Sequence, residues 1–280
     1  MPITKIQFQP GFDKQNTDIT SKGKWTDGDK VRFRYGFPEK IGGWEKVSTT
    51  TFIGVARAQL AWNSLDGTAY DIFGTHKKLY VYSEGNFFDA TPQRSTADIT
   101  SVFTTTNASS LVTVNHSSHG ASEGDYVTIS STSAATAGIS AAIMDDEHEI
   151  QSITDTNNYI IDVGTNATSA VSTTNDCTVT YEIQAGRNRA LSGYGWGTGA
   201  WDSANTWDTP NTSDSVTIGL RSWTLDNWGE DIIALDIDAG IYVWDTSDGI
   251  STASNVASAI SNAPTKSKFT LVSNPDRHLI

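Results

Sequence analysis

The sequence has one cysteine, Cys177, in 280 residues, so no internal disulfide is available and reducing surroundings are acceptable. Methionine and leucine are scarce and no long apolar run occurs, so no membrane span is expected. Met1-Pro2-Ile3-Thr4-Lys5 lacks an apolar h-region, which argues against a secretory leader. Positive charge is also in short supply. There are 19 Lys+Arg against 32 Asp+Glu, a net charge of −13. A body this acidic is poorly suited to gripping nucleic acid, because phosphate binding needs clustered cations. Cys177 follows Asn175-Asp176 with no basic neighbour to lower its pKa, so it is not a candidate nucleophile. No Ser/His/Asp arrangement, phosphate loop or Cys–His pair stands out. Paired glycosidase carboxylates stay open, since the fold rather than sequence spacing brings such pairs together.

Thr, Ser, Asn, Asp and Gly dominate instead, a mix that favours strands and turns over helices. Hydrophobic content is 37%, enough for β-structure with one wet face. Nine Trp and nine Tyr can replace the missing aliphatics in a core or at an interface. Charge is unevenly placed. Residues 1–47 carry nine Lys+Arg and six Asp+Glu, about +3, which leaves −16 for the rest. A basic arm on an acidic body suggests docking onto an acidic partner, such as a neighbouring copy. A negative surface also maintains solubility by itself.

Between Gly23 and Trp44, aromatics, basic residues and glycines alternate at short range. Asp27-Gly28-Asp29 marks a turn. Val31, Phe33 and Tyr35 alternate with Lys30, Arg32 and Arg34, which is strand-like, and Gly36-Phe37-Pro38 is expected to break the strand. The run Trp25-x-Asp27-Gly28-Asp29-x-Val31-Arg32-Phe33-Arg34-x-Gly36-x-Pro38-Glu39-Lys40-Ile41-Gly42-Gly43-Trp44 resembles the start of the tail-nozzle proteins of short-tailed phages, also called tail tubular protein B or DNA-stabilisation proteins. The resemblance covers about the first 45 residues. It implies a β-rich fold containing a β-propeller and a ring, six copies in the family, below the portal and adaptor. It also implies a virion-tail location after synthesis in a host cytoplasm.

Residues 50–92 read as one compact β unit. Ala69-Tyr70-Asp71-Ile72-Phe73-Gly74 leads through a turn at Thr75-His76-Lys77-Lys78 to Leu79-Tyr80-Val81-Tyr82 and a polar turn. The same pattern recurs at residues 229–249, where Asp236-Ile237-Asp238-Ala239-Gly240 turns into Ile241-Tyr242-Val243-Trp244. A third unit is expected from Lys268-Phe269-Thr270-Leu271-Val272 through Asp276 to Ile280. Repeats of this kind are the signature of propeller blades. Material for two or three blades suggests a fragment of a longer protein, because an unclosed propeller exposes sheet edges.

Residues 97–182 contain no Trp and hold several alternating strands, consistent with a small β-barrel or sandwich inserted between blades. His119-Gly120-x-x-x-Gly124-Asp125-x-Val127-x-Ile129 resembles a small β module found inserted in many phage structural proteins. Its glycines permit tight turns, and Val127 and Ile129 should face the module core. The expected architecture is therefore all-β: a partial or fragmentary β-propeller with an inserted small β-barrel or sandwich module and an extended N-terminal arm. The spans are 1–47 for the arm, 48–96 for the first blade region, 97–183 for the module, and 184–280 for a Gly/Trp-rich loop and further blades.

Several groups invite chemistry. His116-Ser117-Ser118-His119 lies on strand and turn with no further ligand in register, so it reads as a turn. Asp236-Ile237-Asp238 lacks the later ligands of a calcium loop and reads as a hairpin. Asp145-Asp146-Glu147-His148-Glu149 reads as a hydrated acidic loop. No enzyme activity, cofactor or metal is expected. The candidate interface comprises Trp25, Phe33, Phe37 and Trp44 as anchors, with Lys30, Arg32, Arg34 and Lys40 making polar contacts. The alternative for these aromatics is packing on the chain's own first blade.

The leading function is a structural virion protein. It would form a homo-oligomeric ring that contacts portal and adaptor proteins, and tail fibres or spikes, while DNA passes through the lumen without sequence-specific binding. The alternative is a carbohydrate-binding, or carbohydrate-cleaving, propeller of a receptor-binding tail component, with Trp196, Trp201 and Trp207 stacking on sugars. A third is a generic propeller scaffold for protein partners. Trp223 and Trp228, in the same tryptophan-rich span, could anchor an interface or pack between blades.

Overall fold

The computed structural model describes residues 9–172, 175–186, 221–237, 239–250, 255–273 and 275–280. Regular structure among them is almost entirely antiparallel β-sheet, with one α-helical turn, α1 (Ala141–Met144), and one 3-10 turn at Thr246–Asp248. The Gly/Trp-rich loop at 193–201, with Trp196 and Trp201, and also Trp207 and Asp238, lie outside the described residues. The chain forms two compact units, Met1–Val47 and Ser48–Ile280. None of the described helices is long and apolar enough to cross a membrane.

In the first unit, β1 (Val31–Arg34) and β2 (Phe37–Lys40) form a two-stranded ribbon closed by Tyr35-Gly36. Both turn residues have positive φ, 51° and 82°, the mirror-type turn that matches the right-handed twist of the strands. Tyr35 therefore ends the strand instead of extending it. Pro38, expected to break the chain, sits within β2 opposite Phe33. Arg34 and Phe37 close the ribbon, so Pro38 occupies the next, non-hydrogen-bonded pair. Its missing N–H points away from the partner strand at no cost.

The second unit begins with a four-stranded meander of β3 (Ala56–Asn63), β4 (Ala69–Thr75), β5 (Leu79–Ser83) and β6 (Asn86–Asp89). Eight further strands form one sheet: β7 (Gln93–Ile99), β8 (Phe103–Thr105), β9 (Leu111–Asn115), β10 (Tyr126–Ser130), β11 (Glu147–Asp155), β12 (Asn158–Asp162), β13 (Val171–Ser172) and β14 (Cys177–Glu182), in the order β13-β8-β9-β12-β11-β10-β14-β7. β7 pairs with β14 from Gln93 onward, so the inserted module starts before position 97. A second meander follows, of β15 (Trp223–Trp228), β16 (Asp231–Asp236), β17 (Ile241–Trp244) and β18 (Ser258–Ala259). The repeated segments Leu79–Tyr82 and Ile241–Trp244 occupy the same place, the third strand of each meander.

The eight-stranded sheet encloses its own core. Phe103, Val112, Val114, Val127, Ile129, Ile150, Ile161 and Val179 come from six of its strands into one cluster. Each such buried side chain contributes about 1.5–3 kcal/mol. Val127 and Ile129 face inward as expected, and Gly120 and Gly124 turn with φ of 59° and 86°. Cys177 is part of this cluster, and burial pushes its thiol up to about 12.

The two meanders share a second core, in which four aromatics pack among aliphatic side chains. Trp62 stacks on Tyr70 at 5.2 Å, and Trp244 meets both edge-on at 5.8 and 5.7 Å. Every indole N–H in this core finds a carbonyl: Trp62 donates to Glu230, Trp223 to Thr75 and Trp244 to Asn255. Trp223 thus packs inside, between the meanders. Trp228 is half-buried and donates to the Arg277 carbonyl at 2.9 Å. Gly74 is where β4 meets Trp223, and a Cβ there would collide with the indole.

β16 is buried on both faces, with Ile232 and Ala234 in the shared core and Ile233 and Leu235 in a third cluster. Val272 and Leu279 help cover that outer face. They belong to the segment expected to start a third blade, which here is only a short hairpin held by reciprocal Leu271–Ile280 bonds of 3.1 and 2.9 Å.

Two outcomes follow. Gly74→Val should lower the denaturation midpoint by about 1–3 kcal/mol of stability, and an unchanged midpoint would contradict this packing. Cys177 should resist alkylation in the native protein and react at once in denaturant. Rapid native labelling would place the thiol elsewhere.

Candidate interaction surface and a buried lysine centre

The first unit divides its aromatics between inside and outside. Phe12 meets Phe33 edge-on at 5.2 Å, and Trp25 lies 6.4 Å from Phe33, giving the unit a small, partly exposed aromatic cluster in which Phe12 keeps 36% exposure. Gly28 lies directly under the Phe12 ring, where a Cβ would collide with it. Lys24 pairs with Asp13 at 3.1 Å and Lys14 with Asp27 at 2.8 Å. Hydrogen bonds from Asn16 and Lys24 hold the Asp13 carboxyl down to about 2.

The remaining aromatics among the described residues of this unit face water. Tyr35 is 88% exposed, Phe37 69%, and Trp44 fully exposed. Arg34 stacks over Tyr35 at 5.4 Å, and Arg32 pairs with Glu39 across the ribbon at 3.2 Å. Lys30 and Lys40 are exposed. Of the eight residues read as interface, Trp25 and Phe33 are thus committed to the unit's own core. Phe37, Trp44, Arg34, Lys40 and Lys30 stand free of it, and Arg32 is shared with Glu39. Tyr35 joins the exposed group, which its reading as a strand residue concealed.

The turn Thr75–Lys78 holds the most highly charged part of the second unit. Thr75 Oγ1 accepts from the Lys77 and Lys78 N–H groups at 3.1 and 2.8 Å and donates to the Lys78 carbonyl at 2.9 Å. This tight turn directs Lys78 inward, where it is completely buried. Its Nζ reaches Asp89 Oδ2 at 2.6 Å and Glu182 Oε1 at 2.8 Å, and also bonds Glu147. The Tyr126 ring lies 4.5 Å beneath it. Lys77 pairs with Glu149 alongside.

The acidic run at 145–149 is a hydrated loop only in part: Asp145 and Asp146 are exposed ahead of the strand. From Glu147 it is strand β11, whose alternation turns Glu147 and Glu149 toward the two lysines. On the opposite face, His148 Nε2 donates to the Met144 carbonyl at 3.0 Å. Desolvation disfavours the Lys78 ammonium, but Glu182, Asp89 and Glu147 outweigh it and hold the pKa above its ordinary value. Burial, then the neighbouring Asp89, pushes the Glu182 carboxyl well above the usual range. With both glutamates ionised, Glu182 Oε2 has no donor. Burial and the nearby Glu147 carboxyl both favour the protonated form of Glu182.

Asp89, Glu147 and Glu182 lie close enough together to hold a metal ion, but the Lys78 ammonium already fills the space between them. The His116/His119 pair is likewise taken up internally. His116 Nδ1 bonds the Tyr181 hydroxyl at 2.7 Å. His119 Nδ1 accepts from the Ala121 N–H, and Nε2 donates to the Asp155 carbonyl.

No protein-family model and no curated protein matches this chain. Among solved structures, one similar chain is the phage phi92 endosialidase, with 13% identity and a TM-score of 0.28. The likeness covers 73% of this chain and 28% of the endosialidase chain. At that TM-score it carries no argument about fold or activity.

Lys78→Met should cost roughly 3–5 kcal/mol, the usual penalty for leaving buried charge unpaired, moderated because Asp89 and Glu147 keep about a third of their exposure. Glu182 is raised in the folded chain, so its share of stability is complete below its ordinary value of 4.5 and is lost as pH rises. The deficit of the variant should accordingly narrow on acidification in denaturant titrations. A variant as stable as the parent at neutral pH would contradict the arrangement.

Proposed function

We propose that this chain is a structural protein of a short-tailed phage tail and part of the nozzle ring that continues the DNA channel below portal and adaptor. The observation that carries the reading is the ribbon of the first unit. It holds itself together with Phe12, Trp25 and Phe33 while presenting Tyr35, Phe37, Trp44, Arg34 and Lys40 to the surroundings. Large exposed aromatics interleaved with arginine are the residue types that carry binding energy at protein interfaces. They lie on the very segment, residues 25–44, that resembles the nozzle family.

In this reading the two four-stranded meanders are propeller blades, and the eight-stranded module is an insertion between them. The basic arm docks on an acidic surface of a neighbouring subunit or of the adaptor. Such a heterologous contact repeats around a closed ring, with six copies by family resemblance. The work is mechanical: the ring retains DNA and then guides its exit, and the chain turns over no substrate. An acidic body suits this, because a wall that repels the duplex lets it slide.

The test separates folding from docking. Phe37→Ala/Trp44→Ala should leave the denaturation midpoint unchanged, because neither side chain is buried within its own unit. Incorporation into particles should fall sharply. Two anchors at about 2 kcal/mol each weaken an interface by up to a thousandfold, in order of magnitude. Particles that take up the variant normally would refute the arm as anchor. A peripheral rather than axial position in particle images would refute the nozzle.

A further inference from the structure

Lys78, Asp89 and two glutamates are arranged for a covalent step that a structural role alone does not require. We propose that Lys78 and Asp89 join spontaneously in an intramolecular amide bond, with Glu147 and Glu182 as proton carriers and Thr91 as the group that receives the developing negative charge.

The argument is geometric. Lys78 Nζ is completely buried and lies 2.6 Å from Asp89 Oδ2, so nucleophile and acyl carbon are held together by the fold. The other oxygen, Asp89 Oδ1, accepts from the Thr91 N–H at 2.9 Å and from Thr91 Oγ1 at 2.5 Å. Two donors on one carboxyl oxygen polarise the carbon and stabilise the tetrahedral intermediate. Glu182 is the only carboxylate of the three with a donor-less buried oxygen, Oε2, which marks it as the place where a proton resides. Tyr126 closes the site over Nζ. Glu147 on β11 and Glu182 on β14 flank β10 in the module sheet, so proton carriers come from one sheet and reactants from the other.

The step balances without any outside reagent. The ammonium passes one proton to Glu147, which frees the nitrogen lone pair. Nζ attacks Asp89 Cγ, and negative charge gathers on Oδ1 against Thr91. The nitrogen releases a second proton. Both protons end on Oδ2, carried by Glu147 and Glu182, and Oδ2 leaves as water. One N–C bond forms, one C–O bond breaks, and both glutamates return to their starting state. Asp89 and Glu147 keep 35% and 30% exposure, which gives the water a way out.

The experiment is mass analysis of the full purified chain. The parent should be lighter by one water. Mass alone is insufficient, because Asp27-Gly28, Asp66-Gly67 and Asp248-Gly249 can lose water by cyclising. Digestion after Glu84 resolves this, since Glu84 lies between the two reacting residues. The segments carrying Lys78 and Asp89 should stay joined as a branched peptide after this cleavage. Lys78→Arg, which keeps the cation, and Asp89→Ala should each abolish the branched peptide, and Thr91→Val should slow its appearance. A parent whose two segments separate on this digestion, or in which Lys78 is joined to any residue other than Asp89, overturns the proposal.

Discussion

Burial of one ammonium organises the second unit as the chain folds, before the proposed bond to Asp89 can form. Lys78 cannot enter an apolar interior alone, since a lone buried charge costs several kcal/mol. It is tolerated because Asp89 on β6, Glu147 on β11 and Glu182 on β14 converge on it. Those carboxylates belong to two different sheets. The charge balance that makes the lysine acceptable also fixes how the eight-stranded sheet sits on the first meander. An apolar contact could slide; three directed hydrogen bonds to one nitrogen cannot.

The second meander is attached by other means. Trp223 lies against the bare backbone at Gly74, Trp244 wedges between Trp62 and Tyr70, and Arg57 donates to the Arg221 carbonyl at 2.7 Å. Buried aromatics with satisfied N–H groups supply both area and direction, which is how a chain poor in leucine builds a shared core. The first unit has its own half-buried aromatic cluster of Phe12, Trp25 and Phe33. Its outward aromatics are therefore available to a partner without weakening the body.

What could be read from the sequence was local. The period-two runs around Leu79–Tyr82 and Ile241–Trp244 are visible as strands because alternation needs no long-range information. Val127 and Ile129 as core, and Gly120 and Gly124 as turns, were legible for the same reason. The lysine centre was not. Lys78 is 69 residues from Glu147 and 104 from Glu182, and nothing in a run of acids says which will meet a cation. Asp145–Glu149 reads as hydrated until β11 is paired with β10. Tyr35 looked like a strand residue because it continues the alternation of Val31 and Phe33, while Gly36 beside it sets the turn. Among the proposed anchors, Trp25 and Phe33 could not be told from Phe37 and Trp44, since inside and outside of a two-stranded ribbon depend on which face Phe12 covers.

The mechanical role proposed above requires sheets that move as one body under load, with Lys78 as the fixed point. The most direct test is a double-mutant cycle on Lys78 and Glu182, with Lys78→Met and Glu182→Gln unfolded in denaturant singly and together in an Asp89→Ala background, where no Lys78–Asp89 bond can form. If the pair couples the two sheets, the double variant will lose less than the summed single losses by about 1 kcal/mol or more. Losses that add to within about 0.3 kcal/mol would mean that the ammonium and the carboxylate ignore each other, and the account of the junction would be wrong.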